Sequence, residues 1–281
     1  MCNSRGGMGF KYLLREVMPP FIWKAISSLI KGRKNSHSLI SYYCPCCKAR
    51  VENFIPFPMI NLQRLFDVQA VDAVFNAETL NISQYTCPEC GATDRDRLYT
   101  LYLDMLFNEL NGYVSMLEIA PSKPLADFIK SKSYISYRSA DLYMEEVDDK
   151  IDITNMDIYE DEKFDVIICS HVLEHVENDM KAISELYRVL KQRGYAILMV
   201  PITLGFKDIK EDNHIKKNPQ LCLKYYGQED HIRRYSKEGY IMRLEEGGFI
   251  VSEYGENDFG SDLFLQAGIH KRSVLYVVTK V

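Results

Sequence analysis

From Thr93 onward, short apolar runs alternate with stretches of helical spacing, and that alternation admits few architectures. A strand that is apolar throughout is buried on both faces, so helices must cover it from either side. Such runs occupy residues 114–120, 137–141, 164–170, 195–200, 250–254 and 274–279. Helical periodicity fills intervals between them, at residues 125–129 and again at Met180, Ile183, Leu186, Tyr187 and Leu190. Thr93 and Asp96 are spaced as a capping box that opens a helix running to Leu110. Gly194, just past a helical stretch, is placed for a left-handed residue that ends a helix. The pattern predicts an α/β fold, a Rossmann-like parallel sheet with helices on both faces.

Composition divides the 281 residues into three parts: a segment 1–40, a cysteine-bounded unit 41–92, and the α/β domain 93–281. The first part holds the run Arg5-Gly6-Gly7-Met8-Gly9, a basic amphipathic stretch over 10–31 with Trp23 within it, and a polar linker over 32–38. Pro19-Pro20 breaks its apolar stretch, which is too short to span a bilayer and does not read as a secretory signal. The stretch suits peripheral contact with an anionic membrane surface, or docking on the protein itself. It is also similar to leaders on enzymes of bacterial surface-polysaccharide assembly. The expected location is therefore cytoplasmic, with membrane association through this segment. A net charge of -5 gives no basic field to draw in phosphate backbones, which argues against nucleic acid as partner.

Four of the eight cysteines form two Cys-x-x-Cys pairs, Cys44 with Cys47 and Cys87 with Cys90. In a reducing compartment such pairs favour metal over disulfide, and two of them complete a tetrahedral, closed, structural Zn2+ site. Gly91 suits the turn of the second pair, whereas Lys48 stands at the same place after the first. Cys46 is a spare thiol, and Cys2, Cys169 and Cys222 read as unliganded.

In an open parallel sheet, ligands sit beyond the carboxyl ends of the strands. Those ends read Glu118-Ile119-Ala120-Pro121, Ala140-Asp141, Ile151-Asp152-Ile153 and Cys169-Ser170-His171. Asp141 follows Glu118 by 23 residues, near the offset of about 20 at which a carboxylate meets ribose hydroxyls in dinucleotide folds. Residues 163–176, Lys-Phe-Asp-Val-Ile-Ile-Cys-Ser-His-Val-Leu-Glu-His-Val, and 186–194, Leu-Tyr-Arg-Val-Leu-Lys-Gln-Arg-Gly, resemble the "FDVI…VLEH" and "LKxGG" motifs of small-molecule class I S-adenosylmethionine-dependent methyltransferases. The resemblance spans roughly residues 114–281. It implies that Glu118, Ala120 and Pro121 form the cofactor loop, that Asp141 holds the ribose, that Asp152 and Ile153 flank the adenine, and that Ser170 and His171 line the pocket. The family's glycine-rich loop is replaced here by Glu118-Ile-Ala-Pro-Ser-Lys-Pro124, with no glycine.

Methyl transfer from a sulfonium requires positioning and the removal of one proton. His175 and His231 are the candidate bases, the latter in a stretch similar to the family's "DHxRxY". His231, Arg233 and Tyr235 are expected to bind acceptor or act in catalysis, while His37, His214 and His270 read as structural or exposed. Arg95 and Arg97 read as surface charge paired with Asp94 and Asp96, with the holding of an anionic acceptor as the other reading. The resemblance implies methyl transfer to a small-molecule or glycan acceptor, in the setting of surface polysaccharide. An RNA methyltransferase whose zinc unit grips RNA, and a binding protein on a silent fold, are the alternatives.

Overall fold

Short-range chemistry sets the first elements of the structure, a computed structural model that describes residues 41–281. Strands β1 (Tyr42–Tyr43) and β2 (Arg50–Val51) pair antiparallel across the first cysteine turn. Helices α1 (Met59–Asp67) and α2 (Asp72–Phe75) follow, and Leu62, Leu65, Ala70 and Val74 gather beneath them in a small apolar cluster. Helix α3 (Asp94–Glu109) opens on the expected capping box: the Thr93 hydroxyl accepts from Asp96 N–H, and the Asp96 carboxylate accepts from Thr93 N–H. The segment 1–40, with its expected membrane contact and His37, Cys2 and Trp23, lies outside the described residues.

The α/β alternation then runs as the apolar pattern requires. Strand β3 (Val114–Ile119) leads into α4 (Lys123–Lys130), which is followed by β4 (Ile135–Asp141) and the short β5 (Asp149–Lys150). Strand β6 (Phe164–Ser170) passes through a 3-10 turn at Leu173–His175 into α5 (Asp179–Val189) and β7 (Leu190–Met199). Helices α6 (Pro219–Tyr226) and α7 (Lys237–Glu246) precede β8 (Ile250–Tyr254). Two short helices, α8 (Glu256–Phe259) and α9 (Ser261–Gln266), separate it from β9 (Leu275–Thr279). The seven-stranded sheet has the order β5-β4-β3-β6-β7-β9-β8. Strands β5 to β7 in that order are parallel to their neighbours, and β9 inserts antiparallel between β7 and β8. Strand order reverses between β3 and β6, and the crevice outside their carboxyl ends is where this architecture takes ligands.

Gly194 does not end a helix. Helix α5 stops at Val189, residues 190–199 are strand, and the left-handed residue of the connection is Arg193, at φ 59°. Gly194 is demanded by crowding instead: a Cβ there would lie 2.8 Å from Lys191 O, 2.9 Å from Leu190 Cδ1 and 3.0 Å from Asp165 O. The register between β6 and β7 is irregular here, jumping from the pair Phe164–Leu190 to the pair Val166–Tyr195.

Arg97 also departs from the surface reading. Its side chain is fully buried, and its guanidinium donates to Ala267 O (2.6 Å), Ala92 O (2.8 Å), Tyr85 O (3.0 Å), Gln84 O and Gly268 O (3.4 Å). The plane of Phe54 lies 3.8 Å beneath it. The sequence shows two Arg-Asp neighbours but not that one helix face turns inward onto a loop rich in free carbonyls. Replacing Arg97 with Met is expected to leave the carbonyls of Gln84, Tyr85 and Ala267 unpaired and to lower unfolding free energy by about 3 kcal/mol or more. Replacement with Lys recovers little, because an ammonium cannot reach five acceptors in one plane. Urea denaturation of the three proteins measures both effects.

Candidate active site

Two backbone irregularities define the crevice. Ala120 ends β3 at φ 52° and His171 ends β6 at φ 59°, both left-handed without being glycine. Such a residue costs about 1–2 kcal/mol, and each is held against that cost by a strand-end hydrogen bond. Ala120 N–H donates to Ala140 O (2.9 Å), and His171 N–H to Met199 O (2.8 Å). The register sets Ile119 beside Ala140 on one side and Cys169 on the other, so Asp141, Ala120 and Ser170 lie in line at adjacent strand ends.

A cavity of about 140 Å³ opens there, lined by Glu118, Ala120, Ser170 and His171 of the expected set. Thr93, Arg95, Asp96, Tyr99 and Ser122 also line it and were not expected. Ser122 precedes α4, and the others come from the start of α3, which the capping box opens over the crevice; the sequence shows the box but not where the helix docks. Asp96 accepts from the Ser122 hydroxyl (2.8 Å), and the Tyr99 hydroxyl meets Ser170 Oγ at 2.8 Å. A second cavity of about 500 Å³ shares Arg95 and His171 with the first and extends past Arg64, Tyr85, Tyr226 and His231. Arg95 is half-buried, and among the described residues its guanidinium makes no hydrogen bond and no ion pair, which sets it apart from Arg97. Burial works against its charge, and the surrounding tyrosines and aspartates outweigh burial and raise its pKa.

The remaining expected residues are placed as follows. Glu118 is buried, accepting from Ser122 N–H (3.0 Å) and the Tyr137 hydroxyl (2.7 Å), so it braces the turn into α4. Burial pushes its pKa up to about 7 against those two donors. Asp141 Oδ1 accepts from Tyr143 N–H (2.6 Å) and Met144 N–H (2.7 Å), and its other oxygen has no partner among the described residues. Asp152 is exposed, with Oδ1 committed to Thr154 N–H and hydroxyl, both at 2.8 Å. Pro121, Asp141 and Asp152 do not line the 140 Å³ cavity, and Ile153 is packed into the sheet's core.

Beyond β6, Glu174 is wholly buried on its 3-10 turn, ringed by His171, His175 and His231. Burial resists its ionisation, and the imidazoles outweigh burial, so its pKa lies below the ordinary carboxylate value. Burial lowers the pKa of His171 to about 4, with Arg95 nearby adding to the effect, and burial also lowers that of His231. His231 lines the large cavity, and the half-buried His175 packs edge-on against it with ring centroids 4.8 Å apart. Arg233 and Tyr235 do not line either cavity. Arg233 donates to Leu173 O (2.6 Å), Val176 O and Glu177 O (3.0 Å), pinning the turn that carries Glu174 and His175. The Tyr235 hydroxyl donates to Asp179 (2.5 Å). Both residues face inward because the segment 231–236 is buried almost throughout.

At the cysteines, Cys44 Sγ lies 3.7 Å from Cys90 Sγ and Cys47 Sγ 3.9 Å from Cys87 Sγ, all four within 4.8 Å of one another. A tetrahedron with metal–sulfur bonds of about 2.3 Å has edges of about 3.8 Å, so the donor set fits that geometry. The two turns are alike. Lys48 N–H donates to Cys44 O and Gly91 N–H to Cys87 O, and Lys48 (φ 63°) adopts the left-handed shape that Gly91 (φ 80°) adopts in the other. Cys46 stands apart, 3.1 Å from Thr100 Oγ1.

Residues 135–198 match the family described as "Methyltransferase domain". The chain carries a methyltransferase domain on a Rossmann-like sheet. The matched region runs from β4 through β6 to the end of β7, and so includes Asp141, Ser170, His171, Glu174 and His175. The uncharacterized protein MJ0638 of Methanocaldococcus jannaschii is 30% identical over 82 residues, which cover 29% of this chain and 32% of that protein. Among solved structures, the YcgJ protein of Bacillus subtilis is 13% identical, with 66% of this chain and 99% of that one covered and a TM-score of 0.39. The CurJ carbon methyltransferase is 14% identical over 65% of this chain and 53% of its own, with a TM-score of 0.42. Among the described residues of this methyltransferase-fold chain, no helix is long and apolar enough to cross a membrane.

The buried Glu118 carboxyl makes the fold sensitive to pH. Its raised pKa means the folded chain holds a proton that the unfolded chain releases near pH 4.5. Its contribution to stability is full below that pH and is lost as pH rises through about 7. Glu118→Gln, which cannot ionise, should therefore shrink the fall in unfolding free energy between pH 5 and 8 by about 2 kcal/mol, read from urea melts across that range.

Proposed function

We propose that this chain transfers a methyl group from S-adenosylmethionine to a small polar acceptor, a free small molecule or a glycan unit, held in the 500 Å³ cavity. The observation that carries this reading is the meeting of two cavities at Arg95 and His171, directly above the reversal of strand order. Two of the residues present suit groups of the cofactor. Asp141 offers an unpartnered carboxylate oxygen for a ribose diol, beside the left-handed Ala120 at the end of β3. Arg95 offers an unpartnered guanidinium for the carboxylate of the methionine end. When bound, S-adenosylmethionine supplies an electrophilic methyl group on a sulfonium. The chain's own contribution is to align the acceptor from the larger cavity, exclude water, and take up the proton the acceptor gives up. His171, neutral at pH 7 and lining both cavities, is placed for that uptake at its imidazole nitrogens.

The acceptor cavity mixes Arg95, Asn61, Tyr85, Asp230 and the paired Arg64 and Glu229 with Phe57, Leu65 and Leu223, a lining suited to a compact molecule bearing both polar and apolar parts. The net charge of -5 supports such an acceptor over a nucleic acid. Calorimetry with S-adenosylhomocysteine is the test: wild-type protein should bind it, and Arg95→Met should weaken binding about 10-fold or more through loss of a charge-assisted hydrogen bond. A wild-type protein that takes up no S-adenosylhomocysteine ends this reading.

The same reading assigns Cys44, Cys47, Cys87 and Cys90 to one structural Zn2+ with no open position. Elemental analysis of the purified protein should return one zinc per chain. Cys87→Ser is expected to lose it and Cys46→Ser to keep it, because Cys46 lies outside the donor set.

A further inference from the structure

The buried carboxylate of Glu174 carries an inference separate from the cysteine site. It is 0% exposed, and among the described residues Oε2 has no hydrogen-bond partner while Oε1 has only His171 Nδ1 beside it, at 3.3 Å. Leaving such a group bare is costly, and a buried polar atom without a partner calls for an explanation. What surrounds it is a set of imidazole nitrogens. His231 Nε2 lies 3.9 Å and His175 Nε2 4.0 Å from Glu174 Oε1.

The opposite edges of those two rings fix what faces the carboxylate. His231 Nδ1 lies 3.3 Å from Tyr226 O, and His175 Nδ1 lies 3.2 Å from Asp230 O. A carbonyl oxygen only accepts, so each Nδ1 carries the hydrogen and each neutral ring turns an unprotonated Nε2 toward Glu174. Two nitrogen lone pairs and an anionic oxygen therefore converge, and the nearest nitrogen able to donate to that oxygen is His171 Nδ1 at 3.3 Å. A cation between the carboxylate and the two lone pairs would satisfy all three at once. Nδ1–H donation to a backbone carbonyl is also the usual way in which a metal-bound histidine is oriented. The ligand atoms of Glu174, His175 and His231 all lie within 4.8 Å of one another. Sites with bonds near 2.1 Å place their ligand atoms about 3–3.5 Å apart, so a modest inward closure of the three side chains completes the geometry. The turn beneath is already rigid, because Arg233 ties down three of its carbonyls.

We propose that Glu174, His175 and His231 bind one divalent first-row transition-metal ion. Two imidazoles and one carboxylate on one side leave the other positions open, and this is the ligand set of such ions rather than of calcium or magnesium. His231 lines the 500 Å³ cavity, and the ion is therefore placed to take an oxygen of whatever occupies it. The role that follows rests on the methyl-transfer reading: the ion ligates an acceptor hydroxyl and eases loss of its proton. The new oxygen–methyl bond then forms as the sulfur–methyl bond breaks, leaving a neutral thioether, with no change in oxidation state. His171, with Nδ1 3.3 Å from Glu174 Oε1, stands beside the ion and is left free for the proton.

Cobalt(II) tests this on the full-length protein after its cysteine site has been filled with zinc. Equilibrium dialysis should show one further cobalt per chain, with visible ligand-field bands and without the sulfur-to-metal charge transfer that a thiolate site gives. Glu174→Gln and His175→Gln should each weaken that binding 10-fold or more; His175 is part-exposed, so its variant stays informative if the buried one does not fold. Absence of a second cobalt, a charge-transfer band as its signature, or affinity unchanged in the folded variants would overturn the proposal. S-adenosylhomocysteine calorimetry on the wild type is independent of these readings: its failure removes methyl transfer and leaves the cobalt count standing.

Discussion

One buried guanidinium holds the parts of this molecule in register. Arg97 projects from α3 into a space where residues 84–85, the end of the second cysteine turn, and residues 267–268 each present carbonyls, and those of Gln84, Tyr85 and Ala267 have no other donor among the described residues. Those segments come from opposite ends of the described chain, and none is in a strand or helix that could satisfy its own backbone. A buried backbone oxygen must find a donor, and a planar fork with five N–H groups serves several at once. Because Arg97 shares a helix with Arg95 and Tyr99, the interaction that anchors the cysteine unit also sets the start of α3 over the crevice. The paired cysteine turns and the crevice cavity are therefore mechanically linked through two turns of helix.

A similar economy operates after β6. Arg233 donates to the carbonyls of Leu173, Val176 and Glu177, the turn on which Glu174 and His175 ride. Its own segment also supplies His231 to the same cluster. One stretch of chain thus provides both a ring that faces Glu174 and the brace that keeps Glu174 in place. That coupling explains why a carboxylate can be kept wholly buried next to three imidazoles: the backbone around it is fixed from outside, so the site does not relax by opening to water.

Much of this fold is legible in the sequence because its signals are local. The capping box at Thr93 and Asp96 and the apolar runs 164–170 and 250–254 reappear as structure with the same bounds or nearly so. Local signals fail where a side chain's partner is distant in the chain. Arg97 reads as surface charge and Arg233 as an acceptor-binding or catalytic residue, since the carbonyls they meet lie up to 171 residues away. Gly194 reads as the left-handed end of a helix, whereas its requirement comes from atoms of β6 and β7 crowding one bulge. At the site, Glu118, Ala120, Ser170 and His171 follow from strand ends alone and do line the cavity. Arg95, Tyr99 and Ser122 do not follow from strand ends, because docking of α3 brings two of them there. The pairing of Glu174 with His231 is hidden for the same reason, as 57 residues of chain separate its two halves.

The glycine-free loop has a physical resolution that bears on how the site works. Left-handed backbone is still required at both strand ends, and the chain meets that requirement with Ala120 and His171 instead of glycine. At Ala120 the side chain is small enough that the substitution changes little beyond a modest strain. At His171 the strain is accepted for a full imidazole, and the backbone conformation throws that ring to the point shared by both cavities, against Glu174. Burial keeps the ring neutral, and the Arg95 guanidinium nearby opposes its protonation further. A glycine at position 171 would relieve the backbone and leave the junction of the two cavities without a group that can accept a proton. The strained residue is therefore best understood as retained for its side chain, with the hydrogen bond to Met199 O and the contact with Glu174 holding it in a conformation it would not otherwise adopt.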